Sequence, residues 1–175
     1  PASGSERSAI AVMRISGSAV GKVAMELCGG LPPVRQAVLR QLRDPRTRLA
    51  IDRALVLYFP GPASFTGEDV LELQHHGSLG VSRALSSSLS GIDGVRPALP
   101  GEFTRRAFLN GKLDLTQVEG LAELIDATTA LQARVALRQL AGEQGRLYAT
   151  WREEAVKALT FIEAEIDFAP DQEVP

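Results

Sequence analysis

The sequence is short of several things, and each shortage narrows what it can encode. Of its 175 residues only Cys28 is a cysteine. No intrachain disulfide can form, and a cysteine-based zinc site is disfavoured. A lone thiol also fits a reducing compartment. No apolar run approaches the roughly 20 residues that a membrane span needs. The formal net charge is -2, so no global basic field draws the chain to nucleic acid, although a local basic surface stays open. No Gly-x-x-x-x-Gly-Lys-Ser/Thr stretch is present to cradle a nucleotide phosphate. No Gly-x-Ser-x-Gly nucleophile elbow is present either. The two histidines, His75 and His76, are neighbours. On a strand they point to opposite faces, a poor geometry for joint metal ligation. The chain opens on Pro1-Ala-Ser-Gly-Ser-Glu-Arg7 without an initiator Met or a signal or transit segment, as expected of a trimmed or processed form.

What is present is a globular balance of 45% hydrophobic and 23% charged residues. The length gives room for one domain and a small extension. Ala9–Ser16 is a β-branched apolar run and reads as a buried strand interrupted by Arg14. A helix capped by Ser18 is expected to run to Cys28, stopped by Gly29-Gly30 and Pro32-Pro33. Gln36–Leu42 is a weaker strand and Arg53–Phe59 a strong one ended by Pro60. Gly61 to Glu68 forms an ordered loop. Asp69–His75 alternates as the next strand, with Glu72 on the face opposite Leu71 and Leu73. Ser78–Leu89 is a helix with Leu79, Val81, Leu85 and Leu89 inward, and Val95–Ala98 a short last strand. These elements predict an α+β fold: a mixed sheet with helices mainly on one side over residues 1–112.

Residues 96–119 are the junction. Pro97, Pro100 and Gly101 break regular structure, Glu102–Asn110 forms a short helix, and Asn110-Gly111 turns. Thr116 and Glu119 are spaced as a capping box for a helix to Ala127. A further helical pattern, capped by Thr128 or Thr129, continues to Phe168, weakened at Gly142 and Gly145 and ended by Ala169-Pro170. Residues 113–175 therefore read as long helices. Their apolar stripe cannot be buried against itself and needs helical partners or a second copy.

Three charges stand among apolar neighbours: Arg14, Glu72 and Lys112. A structural ion pair or strand-end exposure is one reading of them. A polar ligand pocket is the other: a carboxylate can take two hydrogen bonds from an amino-substituted heterocycle, and cations can hold its acidic tail. The basic series Arg35, Arg40, Arg43, Arg46, Arg48 and Arg53 reads as a solvated loop and strand edge, with phosphate contact as its alternative. Cys28 reads as a small apolar filler.

Four motifs occur in order. They are Arg14-Ile-Ser-Gly17, Phe59-Pro-Gly-Pro-Ala-Ser-Phe-Thr-Gly-Glu-Asp-Val-Leu-Glu-Leu-Gln-His-His-Gly77, the run from Pro100-Gly-Glu-Phe-Thr-Arg-Arg-Ala-Phe-Leu-Asn-Gly-Lys112 to Ile125-Asp126, and Glu163-Ala-Glu-Ile-Asp-Phe168. Over essentially the whole chain the sequence resembles the N-terminal part of the tRNA-modification GTPases called MnmE or TrmE. The resemblance implies an aminomethyltransferase-like, folate-binding and dimerising domain at 1–112, followed at 113–175 by the first helices of a helical domain into which a GTPase domain is inserted. It implies a homodimer that binds a tetrahydrofolate derivative, 5-formyl- or methylene-tetrahydrofolate. It further implies a flavin-dependent partner protein and carboxymethylaminomethyl-type modification of the wobble uridine of tRNA. GTP hydrolysis, with GTP, Mg and K, would belong to a GTPase domain absent from these residues. Arg14, Glu72 and Lys112 match the positions with which that family contacts 5-formyltetrahydrofolate. The mitochondrial matrix is the expected compartment, with bacterial cytoplasm or a plastid as alternatives. Departures from the family pattern stand at Gly4–Arg7 and at His75-His-Gly-Ser-Leu79, where two glycines and a proline are lost. A dimerisation scaffold that no longer binds folate is therefore the alternative function.

Overall fold

A computed structural model describes residues 8–167. The Gly4–Arg7 departure, Phe168 and the Ala169-Pro170 stop lie outside the described residues. The chain divides into two compact units, Pro1–Lys112 and Leu113–Pro175, an α+β arrangement.

The first unit is a four-stranded sheet with its first two helices on one face. Its strands are β1 (Ser8–Ser16), β2 (Val38–Arg43), β3 (Ala50–Phe59) and β4 (Val70–Gly77), in the order β1-β4-β3-β2. Every strand pair is antiparallel. The one parallel element among the described residues is an isolated bridge from Val34 to Tyr58. Period-2 alternation sends Met13, Ile15, Leu42, Ala54, Val56, Leu71 and Leu73 to one face. There they meet Val20, Val23, Ala24 and Leu27 of α1 (Val20–Cys28) and Leu85 and Leu89 of α2 (Leu79–Ser90). Most of these side chains are fully buried, at roughly 1.5–3 kcal/mol of transfer free energy for each large one.

Several local expectations are corrected. Ala19, not Ser18, occupies the N-cap of α1, with no side-chain cap; the helix starts later, and its stop at Gly29 is left-handed. Ser78 is the cap of α2 rather than its first residue, accepting a hydrogen bond from the Val81 amide. Leu79 is not inward but half-exposed, at the first residue of the helix. Val95–Ala98 forms no strand. Arg96 is instead drawn into an ion pair with Glu102 of α3 (Glu102–Leu109).

The second unit holds α4 (Leu115–Asp126), α5 (Ala130–Leu140) and α6 (Glu143–Asp167). The capping box of α4 is Asp114 with Gln117, not Thr116 with Glu119. Thr116 lies inside the helix and donates its hydroxyl to Asp114 at 2.7 Å. Thr129 caps α5 through a second box with Gln132. The long helical pattern breaks at Gly142, whose φ of 80° ends α5. Gly145 is helical, and a Cβ there would stand 2.9 Å from an Asp114 carboxylate oxygen. Gly120 lets α4 and α5 touch, since its own Cβ would lie 2.8 Å from the Leu140 amide nitrogen. No residue of α6 is buried; Leu147, Trp151, Leu159 and Ile162 are all about half-exposed. No described helix is long and apolar enough to cross a membrane.

Candidate functional site

The face of the sheet opposite α1 and α2 carries the site. Register fixes its floor: Arg14 of β1 lies across from Glu72 of β4, and Glu72 lies across from Leu57 of β3. One step along, Val70 is flanked by Ser16 and Phe59. A cavity of about 280 Å³ opens above these residues. Arg14, Val70, Glu72 and Phe59 form its floor, loop residues Ala63, Ser64 and Phe65 one side, and Phe103 and Arg35 the rest. The cavity is mainly apolar with few charged groups, the usual chemistry of a small-molecule site.

Arg14 and Glu72 form a short ion pair, Nε to Oε1 at 2.6 Å. The Glu72 side chain is 16% exposed, and the Arg14 side chain 44%. Surface pairs of this kind contribute about 0–1 kcal/mol to stability. That is too little to explain a carboxylate on an otherwise apolar floor. Glu72 keeps its second oxygen available to a donor from above.

The wall from Pro60 to Asp69 is irregular and is held by polar bonds rather than by a core. The Gly61 amide donates to Asp69 at 2.9 Å. Gly67 turns the chain at φ 78°, where a Cβ would meet Asn110 at 3.0 Å. Thr66 is fully buried. Its hydroxyl meets that of Ser16 at 2.7 Å, and its carbonyl accepts from the Asn110 amide at 2.7 Å. Glu68 accepts from Ser16 at 2.9 Å, and its two carboxylate oxygens share Nη1 of Arg106 at 2.9 and 3.1 Å. Arg106 also donates to Glu102, which Arg96 holds in a two-bond grip at 2.6 and 2.9 Å. These contacts draw the Glu102 carboxyl down to about 2, with Arg96 the largest cause, then the Leu99 amide and Arg106. Glu102 and Glu68 in turn push the Arg106 guanidinium up from its ordinary value.

The three sequence-chosen residues are therefore placed differently. Arg14 and Glu72 share the cavity floor. Lys112 does not line the cavity; its ammonium donates to the Pro62 carbonyl at 2.9 Å and so grips the same loop from outside. The altered His75–Leu79 turn contributes nothing to the cavity. His75 is buried, and His76 is exposed and bonded to Asp52 at 2.7 Å. Burial pushes the Asp52 carboxyl up, but bonds from the His76 amide and ring outweigh it and leave the carboxyl lowered. Arg35 is the residue that sequence reasoning missed. The sequence groups it with five other arginines as a solvated edge, yet it alone of that series lines the cavity. Its place one residue beyond Pro32-Pro33 was the available signal, because the chain turned there runs beside β3 through Val34.

Two family descriptions match the chain. One, the GTP-binding protein TrmE N-terminus, covers residues 1–112. The other, the MnmE helical domain, covers residues 115–175. A protein of Parvibaculum lavamentivorans named tRNA modification GTPase MnmE is 54% identical over 172 residues, 97% of this chain and 39% of that protein. One of the same name from Beijerinckia indica is 51% identical over 175 residues, 100% of this chain and 39% of its own. The Homo sapiens protein named 5-taurinomethyluridine-[tRNA] synthase subunit GTPB3, mitochondrial, is 54% identical over 171 residues, 97% of this chain and 35% of its own. The chain thus spans about two fifths of the length of these relatives.

Proposed function

This chain belongs to the MnmE (TrmE) family of tRNA modification GTPases, and from that premise we propose that residues 1–112 bind a tetrahydrofolate derivative and form a homodimer, while residues 113–175 begin the helical domain that carries the GTPase. The intact protein then hydrolyses GTP and, with a flavin-dependent partner, modifies the wobble uridine of tRNA. The observation that carries the folate reading is the Arg14–Glu72 pair on the floor of an aromatic-walled cavity.

The residues fit such a ligand. Phe59, Phe65 and Phe103 offer apolar surface to a flat ring. Glu72 suits the amino-substituted edge of a pterin, since an ionised carboxylate accepts bonds from two neighbouring N–H groups. Arg14 suits formyl or carboxylate oxygen. Lys112 acts from the loop side, where it holds Pro62. A folate of this kind supplies a one-carbon unit; the residues described here bind and orient it. Homodimerisation is supported by Ile10, Leu39 and Leu55, exposed by 65%, 52% and 40% on the same sheet face as the cavity. An apolar surface there is suited to a second copy.

Isothermal titration of the full-length protein with 5-formyltetrahydrofolate tests the ligand. Glu72→Ala is expected to lower affinity by about ten-fold or more, the worth of a charge-assisted bond. Unchanged affinity would remove the role of Glu72. Sedimentation of the same samples reads the dimer, and a monomeric mass would remove that part.

A further inference from the structure

The β2–β3 hairpin carries charge that its own surroundings leave unanswered. Residues 43–53 hold four arginines, two aspartates and no lysine, on a chain whose formal net charge is -2. Among the described residues none of these arginines enters an ion pair. Both aspartates are turned elsewhere. Asp44 accepts from the Ser88 hydroxyl at 2.6 Å and from the Arg46 and Thr47 amides at 3.0 and 2.8 Å, so the turn folds around it. These bonds, that from Ser88 the largest, draw its carboxyl down to about 2. The Asp52 side chain is 9% exposed and accepts from the amide and the ring of His76.

Strand alternation gathers the guanidinium groups. Leu42 and Ala54 are buried on the core side, so Arg43 and Arg53 stand on the opposite face. They are diagonal neighbours there, because Gln41 lies across from Arg53. Arg43 is braced between strand and turn: Nη2 donates to the Gln41 side chain at 2.9 Å and Nη1 to the Arg48 carbonyl at 3.2 Å. Arg46, exposed in the turn, and Arg53 are bonded through their amides alone, and among the described residues their side chains have no partner. Arg48 leans the other way, toward the Glu26 carbonyl of α1. Between Arg43 and Arg48 the one apolar side chain is Pro45. A protein-binding patch is centred on apolar or aromatic anchors, which this tip lacks. Planar guanidinium forks match phosphate oxygens bidentately.

We propose that Arg43, Arg46 and Arg53 form a phosphate-binding patch through which the hairpin holds the sugar-phosphate backbone of RNA without reading its bases. The proposal rests on the reading that the intact protein acts on tRNA, and it adds the surface that takes the backbone. The patch shares no residue with the cavity. Its contacts are electrostatic and independent of sequence, so their signature is salt dependence.

The test uses full-length protein and an unmodified tRNA transcript, with binding followed from roughly 50 to 200 mM salt. Each phosphate contact adds about 0.7–0.9 to the steepness of log K against log salt. A triple variant, Arg43→Gln with Arg46→Gln and Arg53→Gln, should flatten the slope by about 2–3. Wild type then loses roughly twenty- to forty-fold more affinity than the variant across that range. The corresponding triple lysine variant keeps the charge and should keep the slope; its flattening as well would make the arginines structural and overturn the proposal. An unchanged slope in the triple glutamine variant also overturns it. Should that variant fail to fold, Arg46→Gln decides, because its side chain anchors nothing: the slope should flatten by just under about 1, and no change overturns the patch. If tRNA binding is unchanged while the flavin-dependent partner binds the triple glutamine variant more weakly, the hairpin is a protein-docking surface and the proposal falls. If wild type binds no tRNA, the reading that the protein acts on tRNA falls and takes this one with it. If wild type and variant bind tRNA with equal slopes, that reading survives alone.

Discussion

Arg106→Met is the sharpest probe of how the cavity wall is held. The substitution keeps most of the side chain's apolar length and removes its fork. Glu68 then loses bonds at 2.9 and 3.1 Å. A net charge-assisted bond contributes about 1.5–3 kcal/mol in a buried setting. Both partners here are about one-third exposed, at 32% and 30%, so solvent screening reduces the pair to about 1 kcal/mol. Glu102 is released as well but keeps Arg96 and the Leu99 amide, so the loop side of Arg106 takes the larger loss. The loss is local, because Thr66 and Asn110 still tie the loop to the domain. Amide exchange at Gly61 and Glu68 should therefore quicken about five-fold, the ratio that 1 kcal/mol implies. Exchange at Leu71 and Leu73 in β4 should stay as in wild type. A cycle with Glu68→Gln isolates the pair: the double variant should exchange no faster than the single one. If the loop amides are unchanged in Arg106→Met, or if β4 loosens equally, the ionic network does not hold the wall and the reasoning fails.

Other outcomes follow from the same physics. The Glu102 carboxyl is held at about 2, below its ordinary 4.5; its stabilisation is complete above the ordinary value and is lost as pH falls toward 2. Denaturant midpoints of wild type should fall more steeply than those of Glu102→Gln across that window, and parallel acid limbs would refute the assignment. Gly120→Ala forces a methyl group against the Leu140 amide nitrogen at 2.8 Å, so the helical unit should lose about 1–3 kcal/mol as an overpacked contact does, read by helix-band circular dichroism. Cys28 is buried and burial pushes its thiol up to about 12, so at pH 8 only about one molecule in ten thousand is thiolate. Maleimide labelling should track denaturant, and labelling as fast as that of a free thiol would show the helix end to be open.

Residues 1–112 and 113–175 were legible in different degrees. The four strands, the α1 and α2 cores and the apolar stripe of α6 follow from side-chain period, which is local information. Caps were read less well. Asp114 won over Thr116 because the helix starts two residues earlier than the Thr-x-x-Glu spacing suggests, which puts Gln117 rather than Glu119 third in the first turn. Val95–Ala98 failed as a strand because Arg96 found Glu102, and strand propensity yields to such a partner.

By itself the sequence determined the α+β class and the family. Arg14 and Glu72 were visible as charges out of place, and alternation put Glu72 on the face away from Leu71 and Leu73. Which groups meet was decided only in three dimensions. Arg14 and Glu72 are 58 residues apart, and Arg106 and Glu68 are 38 apart. The place of Lys112 outside the cavity and of Arg35 inside it depends on how one irregular loop folds back over the sheet. That loop has no period to read; its path is set by polar bonds to distant residues, and these exist only once the chain has closed.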